Sequence, residues 1–389
     1  MRVRPAVFLI VVLATGCTGT GAAPAPVPTD TEVSSAAAPS SVVPARSTVP
    51  TAAPSTATLP PPTAAPTTTT TGTTTPATTS TSTTTVPVDS TTTTAPGASE
   101  CPGGDDLCAA ATAAGAAYLN ARVSGGVSGF FALEVGGATT ASLNARHGFY
   151  PASSIKALQH LAAIRWAVSR PDPSAALDTP VPVSLDPCTA AAPVSTEPLA
   201  EVLRAMMIDS DNLRANAVQD LLGLPAIAEA AAAAGMDDTR VVHRFGCGGP
   251  ANDPANRSTA ADLASLFDGV ASGRLLDRDA SDLFLSFLRR DVPRTLAAAV
   301  TASEVSDGAF GAEVHGKAGW WGTDLSYAGL VTLPTSRCPG TPGRTYAAAA
   351  FVDGAASVAA GFNVADVIGV VLQDEVRRAA GEYAASACP

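Results

Sequence analysis

Phe149-Tyr150-Pro151-Ala152-Ser153-Ser154-Ile155-Lys156 is the stretch on which the reading of this chain turns. It holds a Ser-x-x-Lys, and its lysine is one of only two in 389 residues. The other is Lys317, in His315-Gly316-Lys317-Ala318-Gly319-Trp320. The rest of the 23 basic residues are arginine, so lysine is not the general surface cation here. A bias toward arginine empties a chain of lysine, but it does not choose where two survivors sit. Between them stands Ser210-Asp211-Asn212, inside Met206-Met207-Ile208-Asp209-Ser210-Asp211-Asn212-Leu213.

A serine hydroxyl is a weak nucleophile at neutral pH and needs a base. If Ser153 opens a helix, Lys156 follows one turn later on the same face. Burial and a nearby cation depress a lysine's pKa enough for it to serve as that base, and Lys317 is the available cation. A helix start at Ser153 also turns amides and a positive dipole end toward the reaction. Ser210 is expected to relay a proton between Lys156 and a leaving nitrogen. Asn212 is expected to hydrogen-bond a substrate amide, and Lys317 to attract a substrate carboxylate. Gly319 lets a ligand approach its strand closely. Asp211 reads as a residue that orders the loop. Each motif alone has a plainer reading: an exposed Ser and Lys on a helix, or a helix cap built from residues that cap well.

Together, and in this order, Ser-x-x-Lys, Ser-Asp-Asn and Lys-x-Gly form the motif set of penicillin-recognising serine enzymes. Phe149-x-x-x-Ser153-x-x-Lys156, Ser210-Asp211-Asn212 and Lys317-x-Gly319 resemble the class A β-lactamases and their serine-hydrolase relatives. The resemblance covers the block from Cys101 onward, in element order and motif spacing. It implies a β-lactamase/D,D-peptidase-like fold and acylation of Ser153 by a β-lactam or an acyl-D-alanine-type peptide. The catalytic residues would be Ser153, Lys156, Ser210 and Lys317. Substrate would meet Asn212, Ala318, Gly319 and Trp320, with the backbone amides of Ser153 and Trp320 forming an oxyanion hole. The ligand is then a β-lactam or a small molecule derived from peptidoglycan. No cofactor is implied, and the protein is expected to be a monomer.

Two departures from that family matter. Ala318 stands where a Thr or Ser is usual, so one hydroxyl for a substrate carboxylate is missing. Losing a hydrogen bond to a charged group costs roughly 1.5–3 kcal/mol. The family also keeps a glutamate in a loop after Thr-Arg, to activate the deacylating water. Here Thr239-Arg240 leads into Val241-Val242-His243-Arg244-Phe245-Gly246-Cys247-Gly248-Gly249-Pro250-Ala251-Asn252-Asp253, without a glutamate. Asp253 is the only acid between Arg240 and Asn256. His243 is a conceivable base, but a lone loop histidine reads as solvated. Fast hydrolysis of an acyl-enzyme is therefore in question.

Outward from the motifs, strands are expected over Val127–Val135, Thr139–Ala145, Ala312–Lys317, Ser326–Leu333 and Thr345–Val352. Helices are expected over Asp105–Val123, from Ser153 toward Val168, and over Pro198–Met207, Asn212–Leu222, Pro225–Ala234, Ala260–Ala271, Ala280–Arg289 and Val364–Tyr383. Strands at both sequence ends with helices between predict an α+β fold. One antiparallel sheet is flanked by the terminal helices, a helical lobe forms the middle, and the motifs meet at the cleft between them. Of Trp320 and Trp321, strand alternation should send one into the core.

The first hundred residues look unlike a domain. Arg2 and Arg4, the apolar run Ala6–Leu13 and Ala14-Thr15-Gly16-Cys17 read as a leader over residues 1–16 with a bacterial lipobox. Cys17 would then carry the lipid anchor; the alternative is an ordinary signal peptide with an incidental cysteine. Residues 17–100 are almost all Thr, Pro, Ala and Ser and cannot offset ordering entropy by burial, so they read as a disordered tether. Its reach is on the order of 50 Å. Residues 101–389 form the folded block, held outside the cytoplasm at the membrane.

Cys101, Cys108, Cys188, Cys247, Cys338 and Cys388 favour disulfides in an exported chain, and 15 pairings are open. By the resemblance, Cys188 lies across the cleft and pairs with Cys247. The remaining pairs would be Cys338 with Cys388 and Cys101 with Cys108. Cys and His spacings show no metal site, and His147, His160, His243 and His315 read as structural or solvated. A net charge of −11 argues against nucleic acid. Gly-x-Ser-x-Gly, phosphate-loop and dinucleotide motifs are missing from the sequence. Two other readings stay open: a slow D,D-peptidase-like or esterase activity on cell-wall material, and a non-catalytic wall-binding module.

Overall fold

A computed structural model describes residues 101–189, 193–252, 254–290 and 311–388. The leader, Cys17, the tether and Asp253 lie outside the described residues.

The chain enters through α1 (Asp106–Asn120), which Asp105 caps by accepting from Leu107 N and Cys108 N. β1 (Val123–Ser124), β2 (Val127–Glu134) and β3 (Thr139–Leu143) follow. After the site segment come α2 (Lys156–Val168), α3 (Pro173–Leu177), the hairpin of β4 (Pro180–Ser184) and β5 (Pro193–Pro198), then α4 (Leu199–Ile208), α5 (Asn212–Leu222) and α6 (Leu224–Ala233). Next are α7 (Ala260–Ala271), α8 (Arg278–Ser286) and β6 (Arg289–Arg290). β7 (Glu313–Trp321), β8 (Asp324–Leu333), β9 (Arg344–Asp353), β10 (Ser357–Val358), α9 (Asp366–Val371) and α10 (Gln373–Ala385) complete the described chain.

The main sheet has the order β3-β2-β9-β8-β7-β6, antiparallel throughout. It is built from both sequence ends, as the α+β reading expects. β9 shows how it is covered. Ala347, Ala349 and Phe351 join one core with α2, α4 and α7, while Tyr346, Ala348, Ala350 and Val352 join another with α9 and α10. A strand buried on both faces reads as a continuous apolar run, which Ala347–Val352 is. The disulfides are Cys101–Cys108, Cys188–Cys247 and Cys338–Cys388, the pairs the resemblance implies.

Several expectations need correction. The terminal helix is two helices, because Leu372 leaves helical geometry at φ −96°, ψ 7°. The break turns Val367, Ile368 and Val371, and then Val376 and Ala379, all toward buried positions. The middle is mainly helical as expected, with one hairpin the sequence did not suggest: β4 and β5 pair there from Pro180↔Pro198 to Ser184↔Pro193. β7 runs four residues past Lys317, to Trp321. Neither tryptophan enters the core, with Trp320 71% and Trp321 40% exposed. Beyond Gly316 the described residues place no strand against the outer side of β7, since β6 pairs only with Gly316 and His315.

Candidate active site

Ser153 sits in a 3-10 turn, Ala152–Ile155, and the α-helix proper begins at Lys156. The turn starts from Ala152 at φ +44°. Such a conformation in a residue with a Cβ costs about 1–3 kcal/mol and persists only where surroundings impose it. Pro151 supplies the constraint: its carbonyl accepts from Ser154 Oγ at 2.8 Å and from the wholly buried Ser326 Oγ of β8 at 2.6 Å. The nucleophile candidate is thus pinned to the sheet. From the same face of the sheet, Gly319 backs directly onto it. A Cβ on Gly319 would lie 2.7 Å from Ser153 N, so no larger residue fits there.

Lys156 has no exposed surface. Its Nζ donates to Ser210 O at 2.6 Å and to Asn212 Oδ1 at 2.7 Å, and lies 3.5 Å from Ser210 Oγ. Ser210 presents both oxygens because its backbone takes φ +59°, the second strained non-glycine residue at this site. Asp211 then caps α5, accepting from Arg214 N at 2.9 Å. Arg214 ties Asp211 to Glu197 in an ion-pair triad, with NH1 3.1 Å from Asp211 Oδ2 and NH2 2.6 Å from Glu197 Oε1. Asp211 therefore orders the loop, the part the sequence reading gave it.

From β7, Lys317, only 4% exposed, donates to Ser210 Oγ at 2.9 Å and to Ala318 O at 2.8 Å. Ser210 Oγ therefore lies between the two lysines. Burial first, and the Lys317 charge second, push the Lys156 pKa down to about 6, while Asp211 pulls weakly the other way. At neutral pH Lys156 is then an amine with two N–H donors and one lone pair. Ser210 O and Asn212 Oδ1 use the donors, which leaves the lone pair for a proton.

The loop after Arg240 brings a ring to this lysine. Phe245 is 7% exposed, and its centroid lies 5.1 Å from Lys156 Nζ. Asn216, buried in α5, fixes it in place: Phe245 N donates to Asn216 Oδ1 at 2.7 Å, and Asn216 Nδ2 donates to Phe245 O at 3.0 Å. The motifs do not single out Phe245 or Asn216. The one available signal is that Phe245 is the sole Phe, Tyr or Trp between Arg240 and Asn256. His243 is half-buried: its Nε2 is shielded from water and finds no hydrogen-bond partner among the described residues. His160 is structural: fully buried, pushed down to about 4 by burial, with Nε2 3.0 Å from Phe284 O.

Ser153, Lys156, Ser210, Asn212, Lys317 and Gly319 thus converge. Ala318 is exposed and contributes its carbonyl to Lys317. The Trp320 indole points out to solvent and donates to Gly322 O at 2.8 Å, so only its backbone adjoins the cleft.

Comparison with solved structures places this architecture. A β-lactamase from Sphaerobacter thermophilus aligns with a TM-score of 0.53 at 21% identity, over 70% of this chain and 97% of that one. The protein PBP-A aligns with a TM-score of 0.52 at 21% identity, over 68% and 95%. A class A β-lactamase from Mycobacterium abscessus aligns with a TM-score of 0.53 at 22% identity, over 69% and 98%. At these identities the likeness speaks for the fold. A search of curated proteins returns no match. The sequence model of the beta-lactamase enzyme family matches residues 116–371, well over half the chain, and spans Ser-x-x-Lys, Ser-Asp-Asn and Lys-x-Gly. The chain accordingly belongs to the beta-lactamase enzyme family.

Proposed function

We propose that this protein is a serine hydrolase that forms an acyl-enzyme on Ser153 with β-lactams or related acyl-amides and releases it slowly. The observation that carries the proposal is the wholly buried Lys156, held beside Ser210 one turn after Ser153, where burial and Lys317 lower its pKa. In acylation Lys156 takes the Ser153 hydroxyl proton while Oγ bonds to the substrate carbonyl carbon. As the C–N bond breaks, Ser210 Oγ passes that proton to the leaving nitrogen. Lys317 holds the substrate carboxylate, and the Ser153 and Trp320 amides receive the developing oxyanion. A mutant of PBP-A, similar in fold, has been solved as an acyl-enzyme complex with penicillin G.

Slow release follows from Phe245. Deacylation needs a base that activates water, and the loop faces Lys156 with an apolar ring. This favours the penicillin-binding, peptidase-like end of the family over an efficient β-lactamase. The lipid anchor at Cys17 and placement outside the cytoplasmic membrane remain part of the proposal and rest on the leader sequence.

The rate of Ser153 acylation by a penicillin tests the role of Lys156. Protonated Lys156 has no lone pair, so the rate should fall about tenfold per pH unit below about 6 and level off above it. Adduct formation timed by quenched mass spectrometry from pH 4.5 to 9 would show this. A rate that climbs only near pH 10, where an ordinary lysine titrates, would remove Lys156 as the base.

A further inference from the structure

We propose that the cleft is walled off at its Trp321 end, so that the enzyme selects substrates whose acyl group is compact. The inference rests on the acyl-enzyme reading above. Along β7, residues 317, 319 and 321 share the face that looks into the cleft. Lys317 reaches Ser210, and Gly319 abuts Ser153 N. Trp321 follows about 7 Å further on, at ~3.3 Å per strand residue. A substrate with its carboxylate at Lys317 and its reacting carbonyl at Ser153 must therefore extend its acyl group toward Trp321.

The two lobes meet at that point. The Trp321 ring lies flush on the backbone of Gly249, where an added Cβ would sit 2.6 Å from Trp321 Cζ2. Gly249 is buried and has φ +56°, so both its space and its conformation exclude a side chain. Tyr150, from the segment leading into Ser153, meets Trp321 edge-on with ring centroids 6.3 Å apart.

The loop bearing Gly249 is not a free flap. Cys247 is bonded to Cys188, and Asn252 Nδ2 donates to Cys247 O at 2.6 Å. Just upstream, Arg244 Nε donates to Pro187 O at 3.1 Å, and NH1 pairs with Asp220 at 2.5 Å. The wall is therefore a tryptophan on the sheet lobe set against a cross-linked loop on the helical lobe. It leaves room for roughly two strand residues of acyl group beyond Ser153. An arylacetamido group collides with it, whereas an acetamido group clears it.

The test is the rate of Ser153 acylation by 6-acetamidopenicillanate and by benzylpenicillin, which differ by one phenyl group. In the native chain the acetamido compound should react at least about tenfold faster, the scale on which a pocket discriminates by size. Trp321→Ala should shrink that ratio to within about threefold by speeding benzylpenicillin. Cys188→Ala with Cys247→Ala loosens the opposite side of the wall and should act in the same direction. Either variant decides the matter if the other does not fold. A native ratio near one, or a ratio unmoved in a folded variant, overturns this inference alone. Acylation by neither compound in any chain overturns the acyl-enzyme reading and takes this inference with it.

Discussion

Lys156→Met is expected to lower the rate of Ser153 acylation on the order of 10³-fold, within the range for loss of a positioned base. Methionine is unbranched, apolar and one atom shorter than lysine, so it suits the pocket beside Phe245 while removing the amine with its lone pair and its N–H donors. The fold should survive, and a pH-dependent stability signature should accompany the loss. Between about pH 6 and the ordinary lysine value of 10.5, the unfolded chain keeps a proton on Lys156 that the folded chain has released. Native stability therefore rises with pH across that window, and below it Lys156 imposes its full penalty. Methionine carries no such penalty, but it leaves Ser210 O and Asn212 Oδ1 without their donor. The variant should flatten the rise of Tm with pH and compare best with the native chain at low pH. Single-turnover acylation together with thermal melts at several pH values would check both halves. Acylation within tenfold of the native rate would assign the base to another group.

Phe245→Glu is expected to shorten the life of the acyl-enzyme by on the order of 10²-fold, the lower end for a general base acting on water. The ring it replaces lies 5.1 Å from Lys156 Nζ, and the backbone on either side is fixed by Asn216, Arg244 and Cys247. A carboxylate introduced there would face the cleft and could hold a water near Ser153. It would also draw the Lys156 pKa upward, because an opposite charge favours the ammonium form. Acylation in this variant should slow at neutral pH and recover as the pH rises. Burying a carboxylate in place of a ring should lower Tm, which melts would reveal. Adduct decay followed by mass is the deciding readout. An unchanged lifetime in a folded, acylated variant would show that Phe245 is not what blocks release.

The sequence made the site more legible than the details of the fold. Two lysines, each inside a motif, and the Ser-Asp-Asn between them single out Ser153, Lys156, Ser210 and Lys317 as candidates, and the structure brings all four together. The sheet was readable because β2, β8 and β9 carry apolar runs of strand length bounded by turn residues. The β4–β5 hairpin was hidden by Pro180, Pro182, Pro193 and Pro198, which argue against strand and are tolerated only in a small, edge-like sheet. The break at Leu372 has no proline, and its one nearby glycine, Gly369, lies inside α9, so it reads as part of one apolar helical run. Phe245 was out of reach for a different reason. Its place beside Lys156 is set by contacts with Asn216 and by the Cys188–Cys247 bond, which link segments far apart in sequence. The left-handed backbones of Ala152 and Ser210 likewise come from tertiary constraint, against the preference of both residue types.

The most direct test of the account is the intact mass of the block from Cys101 to Pro389 during incubation with excess 6-acetamidopenicillanate. One adduct with the mass of the intact drug, mapped to Ser153, is expected to persist while little free drug is consumed. A protein that gains no mass and leaves the drug untouched, or one acylated at another residue, would contradict it.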